Sequence, residues 1–253
     1  MNSPATLSEK NIWNQVKRLT WRVIKNPVLS TLQSWKWTIE QWREFAKQRY
    51  LAAHLFVPLL EMWKMLADAS WLDDIAQSLV ANLHDEKGIR EWKIVPELSH
   101  ETWRVDFYKA LWVDEDSLEN AEPNVWSKNY QWALEKLIKE RNLHRILWAV
   151  LFLEWSIPPE FLSIKKWRDS TFPDIFVYSK SDTPEQIEYK RRARIYIDDH
   201  ITHDAQSHYP DLLRAVLRSV RDNQGVADIF EWMEIVAKVR GDFYREMEKE
   251  FRL

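Results

Sequence analysis

The chain has no cysteine among its 253 residues, which excludes disulfides, thiolate metal ligands and thiol nucleophiles together. Glycine is nearly absent too. Gly88, Gly225 and Gly241 are the three present, too few and too scattered for the multi-glycine loops that cradle phosphates and dinucleotides. Charge of one sign is also missing: 36 Lys and Arg face 39 Asp and Glu, a formal net charge of −3. With both signs interspersed, there is no electrostatic footprint for nucleic acid or an anionic membrane. The short cluster Lys190-Arg191-Arg192 reads as solvated. No apolar run approaches the roughly 18 to 20 residues of a membrane span, and Met1-Asn2-Ser3-Pro4-Ala5 leads into polar sequence, not an apolar signal core. The expectation is a cytoplasmic protein with neither nucleic acid nor membrane as partner.

What is present is helical periodicity. Ile12, Val16, Leu19 and Val23 recur at spacings of three and four, an amphipathic stripe over residues 9 to 25. The pattern continues over 31 to 47 and 49 to 69, where Pro58 should interrupt the helix near His54 to Val57. A helix over 69 to 84 meets Gly88, which suits a C-terminal cap. Residues 89 to 99 lose periodicity around Pro96 and read as a loop. Further helices are expected from Ser99 or His100 through Leu111, over 124 to 140, and over 143 to 155, where Pro158-Pro159 should end the run. Residues 168 to 184 read as the longest irregular connection, 185 to 208 and beyond as one long helix, and 226 to 251 as the last. The fold class is all-α, a single-domain bundle of seven or more helices, with 1 to 45 packing on the bundle, 46 to 225 as its core and 226 to 253 as the closing helix. The 16 tryptophans fill seams between helices, with a few available to line a pocket for an aromatic ligand.

The segment Asp199-His200-Ile201-Thr202-His203-Asp204-Ala205-Gln206-Ser207-His208 holds three of the seven histidines. On a helix, His200, Asp204 and His208 fall within roughly 80° of arc. They make either a metal half-site or a solvated polar face. Without thiolates, a metal would be held by imidazole and carboxylate, a set that suits iron or manganese and permits zinc. Glu154 lies in the apolar run Leu147 to Trp155, where a buried carboxylate requires compensation by an Arg or Lys or by a metal. Glu86, at the end of one helix, and His100, at the start of the next, are a surface acid and a capping histidine when taken singly.

Together these pieces resemble the haem-oxygenase-like diiron oxidases. The resemblance spans about residues 45 to 220. It rests on Asn82-Leu83 with Asp85-Glu86-Lys87-Gly88, on His100-Glu101-Thr102-Trp103 with Phe107 to Leu111, on Glu154 ahead of Ile157-Pro158, and on His200 followed by Asp204. It implies a haem-oxygenase-like fold and two Fe(II) ions held by Glu86, His100, Glu154, His200, Asp204 and His208, with Glu86, Glu154 and Asp204 as the catalytic carboxylates. Two features depart from the family pattern. The position three residues after Asp204 is Ser207, with histidine one residue later at His208, a shift that a π-bulge eased by Pro210 would absorb; His203 is the alternative ligand. The Glu86 to His100 gap is also longer than in the family.

The implied activity is that of a non-haem diiron oxidoreductase with O2 as co-substrate. It would oxidise an amino acid or an amine derived from one, by N-oxygenation, C–C cleavage or rearrangement to a nitrile, in a biosynthetic pathway. The aromatic content points to a tryptophan derivative, as in indole-nitrile-forming members. Arg194 and Lys165 are candidates for a substrate carboxylate, and Tyr196, one turn before His200, for the cavity wall. A small-molecule substrate is expected; the resemblance allows for an external electron donor, and a homodimer is the family assembly. The rival readings are a cofactor-free enzyme on the same fold, of the quinone-cofactor oxidase type or the thiaminase type that needs a cysteine, and a non-catalytic helical interaction protein.

Overall fold

The computed structural model describes residues 9–33, 37–70, 72–90, 93–202, 209–219 and 223–251. Burial follows the helical spacing of the sequence. In α1 (Glu9–Ile24), Ile12, Val16, Leu19 and Val23 are all fully buried. After α2 (Pro27–Gln33), the Thr38 hydroxyl accepts from the Gln41 amide while the Gln41 side chain accepts from the Thr38 amide, a capping box that starts α3 (Ile39–Ala53). One helix over 31 to 47 is therefore not what forms, because this cap offers the backbone a fresh N-terminus. The expected break before Pro58 is present: α3 stops at Ala53 and α4 (Phe56–Ala69) begins with Pro58 in its first turn, where the missing N–H has no helical acceptor to lose.

Next come α5 (Asp73–Lys87), a two-residue hairpin of β1 (Ile89–Arg90) and β2 (Lys93–Ile94), a 3-10 turn at Pro96–Leu98 and α6 (His100–Ala110). The stretch read as plain loop thus contains an antiparallel pairing of Ile89 with Ile94 and Arg90 with Lys93. The short α7 (Glu115–Glu119) and then α8 (Val125–Glu140) follow. α9 (Leu143–Thr171) carries Pro158 and Pro159 in its interior, so the prolines do not end it. Each forgoes a backbone hydrogen bond, at a cost of about 3 kcal/mol. Burial of Phe161, Ile164 and Trp167 beyond them, together with the ion pairs of Glu160, opposes that cost. α10 (Pro173–Phe176) and α11 (Pro184–Asp199) then shorten the expected irregular connection to 177–183. α11 passes at 200–202 into a π-helical turn, and the rest of the long helix expected there, 203–208, lies outside the described residues. α12 (Tyr209–Ser219) and α13 (Asn223–Phe251) complete the chain.

α9 is the axis of the bundle, packed by α1, α2, α4, α12 and α13. It is long and apolar enough to cross a membrane, but 72% of its most apolar stretch is buried within the fold, the position of a core helix. Its Glu160 is fully buried between Arg49 of α3 and Arg240 of α13. Arg49 Nε donates to Glu160 Oε1 at 2.8 Å, Arg240 donates to Glu160 Oε2, and Arg240 also reaches the Ser156 hydroxyl. Three helices are thereby joined through one carboxylate. Lys190, expected to be solvated, is also buried, held by Asp182 at 2.9 Å and the Val177 carbonyl at 2.8 Å.

Glu160→Ala leaves two buried guanidinium groups facing no acid. We expect a loss of about 3–5 kcal/mol, a fall of roughly 6–20 °C in Tm for a chain of this size, measured by thermal unfolding followed by circular dichroism. A change under 2 °C would show that the clamp does not hold the bundle.

Candidate metal centre

The site starts from two helix ends. α5 finishes in Gly88, whose backbone is left-handed at φ 66° and ψ 34°, a conformation that glycine adopts without the steric cost borne by other residues. The reversed chain runs into the hairpin, with Val95 N donating to Gly88 O at 2.8 Å. Ser99 then caps α6, its hydroxyl accepting from the Thr102 amide at 3.1 Å. A Cβ on Gly88 would lie 2.4 Å from Val95 O and 2.7 Å from Ser99 N, so glycine is also required by the close approach of the returning chain. The result is that Glu86 Oε1 and His100 Nδ1, fourteen positions apart, meet at 3.0 Å.

The third member comes from across the bundle. α11 packs along α6, tied by Arg192 to Asp106 at 2.8 Å, and its end brings the His200 ring to 4.5 Å from that of His100. Glu86, His100 and His200 each offer a ligand atom, and these atoms all lie within 4.8 Å of one another. His200 Nδ1–H donates to the Tyr196 carbonyl at 2.7 Å. That bond fixes the tautomer and leaves Nε2 with its lone pair. His100 Nε2 faces Asp199 Oδ2 at 3.5 Å.

Electrostatics sort the protonation states. Burial pushes the Glu86 carboxyl up, but the His100 charge and hydrogen bond outweigh it and hold the carboxyl down to about 2. Burial and the neighbouring His100 charge push His200 down to about 3. The cluster therefore contains an ionised carboxylate and a neutral imidazole near neutral pH, the forms that bind a metal.

These groups open on a cavity of about 50 Å³. Glu154 and Tyr196 also line it, so the structure brings together Glu86, His100, Glu154, His200 and Tyr196. Glu154 is 3% exposed but is not part of the tight three-residue cluster. Asp204, His208 and the alternative ligand His203 lie outside the described residues. Arg194 and Lys165 do not line the cavity. Arg194 is committed to Asp198 at 2.9 Å and Lys165 to Asp169, because each has an acid one turn ahead on its own helix. No tryptophan lines the cavity among the described residues; Trp42, Trp63 and Trp148 are fully buried in the core, where their large apolar area is of most use.

Sequence reading missed the cationic side of this cavity, formed by Arg49, Arg104 and Arg240. Arg104 had a legible signal, since it follows His100 by four residues on one helix and therefore shares its face. Arg49 and Arg240 had none, being brought in by helices far apart in the chain through a Glu160 hidden behind two prolines.

Residues 43–240 match the profile of a family described as iron-containing redox enzymes. No curated protein matches the chain in sequence. In structure it is similar to a CADD-like protein of unknown function from Nostoc punctiforme, with TM-score 0.70 and 18% identity over 95% of this chain and 98% of that one. It is also similar to a TenA homologue from Pseudomonas syringae pv. tomato, with TM-score 0.71 and 10% identity over 95% and 92%. A domain of unknown function with a haem oxygenase-like fold from Shewanella denitrificans gives TM-score 0.70 and 12% identity over 98% and 95%. At these identities the likeness establishes the fold, which is all-α and haem-oxygenase-like.

Two outcomes follow from the site geometry. Gly88→Ala must adopt a left-handed backbone and clash with Val95 and Ser99, so it should lose at least ~1–2 kcal/mol; Gly241→Ala, in mid-helix with open space around its Cβ position, should gain ~0.5–1 kcal/mol. Urea midpoints of the two variants moving in the same direction would contradict this assignment. In the metal-free protein, stability should fall with acid in two windows. His200 has a folded value near 3 against an ordinary 6.5, so the unfolded chain takes up its proton first and stability drops from pH 6.5 towards 3. Glu86 has a folded value near 2 against 4.5, so its contribution is present above pH 4.5 and is lost towards pH 2. The slope attributable to His200 is at most about 1.4 kcal/mol per pH unit, and His200→Gln should flatten it between pH 6.5 and 4.5 in urea titrations.

Proposed function

The chain belongs to the family of iron-containing redox enzymes, and we propose that Glu86, His100 and His200 are the core of a diiron site that oxidises an amino acid or an amino-acid-derived amine with O2. The observation that carries the reading is the approach of those three ligand atoms to within 4.8 Å, with His200 already held in the tautomer that frees Nε2. The donor set fits the metal: one carboxylate and two imidazoles, without thiolate, match the preference of iron. In this proposal Glu154 is the further carboxylate from the same cavity, and Asp204 with His208, or His203 in its place, completes the second half of the site. Ferrous iron held by these residues would supply the O2 activation that amino-acid side chains lack.

The residues of the chain do the rest. The Tyr196 carbonyl orients His200, and the Gly88 and Ser99 caps hold Glu86 against His100. Leu153, Ile157 and Phe56 supply apolar wall that keeps water from the reacting centre. The substrate part of the proposal comes from the resemblance in sequence: N-oxygenation, C–C cleavage or nitrile formation on an amine of amino-acid origin, with electrons from an external donor. A tryptophan derivative is the finer version, and about 50 Å³ of free space requires the cavity to open before an indole enters. Cofactor-free alternatives on this fold leave the buried Glu86–His100–His200 cluster without a task.

Anaerobic titration with ferrous iron tests the proposal. We expect about two equivalents taken up with a rise in Tm by mass action, and His100→Ala and His200→Ala each to lower that stoichiometry while remaining folded. Oxygen consumption by the iron-loaded protein should then depend on an added amino acid or amine. A folded parent protein that takes up no iron refutes the reading.

A further inference from the structure

Beyond the metal cluster, the chemistry of the cavity is dominated by guanidinium groups. Arg49, Arg104 and Arg240 line it beside Glu86 and Glu154. Arg240 is engaged by Glu160 and Ser156. Arg49 gives its Nε to Glu160, and among the described residues its two terminal amino groups have no hydrogen-bond partner. Arg104 is served least. It is 8% exposed, and its buried Nε has no hydrogen-bond partner among the described residues. Its acid neighbour is Glu101, 3.5 Å away on the surface. Its guanidinium lies 5.0 Å over the Tyr50 ring, a contact that packs the group without neutralising it.

With Glu86 and Glu154 given to metal ions, the buried acid at the arginines is Glu160, already shared by Arg49 and Arg240, and the acid beside Arg104 is Glu101, 3.5 Å away and 59% exposed. Buried cations and donors kept without partners are unfavourable, so their retention beside a cavity is the arrangement of a site that awaits an anion. Arg104 stands one turn beyond His100 on α6, so an anion held there lies within a few ångströms of the metal cluster.

We propose that Arg104, with the free edge of Arg49, binds the carboxylate of the substrate and turns its amine end towards Glu86, His100 and His200. This inference rests on the amino-acid reading above and assigns the group that recognises the acid. A guanidinium fork matches the two oxygens of a planar carboxylate, and the small free volume favours that group over a bulkier tetrahedral phosphoryl group. The recognition energy is thereby spent at a part of the substrate that does not react, which fixes the reacting end in place.

Calorimetry on the metal-free protein tests this without activity. The probes are glycine, L-leucine and L-phenylalanine, each against its carboxamide, with inorganic phosphate as competitor. At least one acid should bind saturably and its carboxamide at least about tenfold more weakly, the worth of a charge-assisted hydrogen bond. Arg104→Gln should weaken the acid by about tenfold or more and leave the carboxamide unchanged, with Arg104→Lys between the two. Ferrous iron uptake of Arg104→Gln should stay that of the parent, and its Tm should not fall, since a poorly partnered buried charge is removed. If that variant fails to fold, the acid and carboxamide comparison on the parent and on Arg104→Lys still decides. Equal binding of acid and carboxamide, unchanged acid binding in a folded Arg104→Gln, displacement by phosphate as strong as by the acid, or no acid binding overturns the assignment. Loss of iron uptake in the parent would instead count against the metal reading, so the two failures are separable.

Discussion

Everything at the centre of this protein depends on how α9 distributes two buried carboxylates. Glu154 and Glu160 sit six residues apart on one core helix, both inside the fold. Glu160 takes two arginines and its carboxyl is held below the ordinary range: burial pushes it up, but Arg240 and Arg49 more than compensate. Arg49 and Arg240 are joined to Glu160, while Glu154 lines the cavity. One acid thus joins α3, α9 and α13, and the other remains in the wall of the site. The same pairing explains why two successive prolines are tolerated between them: the helix is held by what its side chains bind, not by its backbone ladder alone.

Around that axis the site is built by two different kinds of constraint. Glu86 and His100 are neighbours by local rules, a left-handed glycine at one helix end and a serine cap at the start of the next. His200 is brought in only by the packing of α11 on α6, and its ring orientation is then fixed by its own helix through the Tyr196 carbonyl. Local chemistry sets the direction of each side chain, while tertiary packing sets their separation. A carboxylate and two imidazoles in an apolar wall follow from both, and the lowered value of His200 is the electrostatic trace of that enclosure.

How much of this could be read from the sequence divides along the same line. The all-α class, the stripe of α1 and the Gly88 cap were legible because they depend on spacing and on single residues. Glu86, His100 and His200 were singled out together through the family resemblance, and the structure brings them within 4.8 Å of one another. The end of α9 was not, because Pro158-Pro159 is a strong local stop signal and only tertiary burial overrides it. Misplacing that end hid Glu160, which lies just beyond, and with it the reason Arg49 and Arg240 reach the cavity. Arg194 and Lys165 were chosen by charge and proximity along the chain, yet acids one turn away, Asp198 and Asp169, hold both. Short-range ion pairs of that kind are invisible to a search for a long-range partner.

The hairpin between Glu86 and His100 has a consequence for the history of the protein. Both of its ends are fastened independently, by Gly88 on one side and Ser99 on the other, and its second strand is exposed, with Ile94 70% accessible. The spacing of the Glu86 and His100 side chains is therefore set by the two helix ends and not by the number of residues that connect them. A change of length between these two fastenings need not move Glu86 or His100, because each is placed by its own helix end. The segment is a place where lineages can acquire new recognition elements beside an old site.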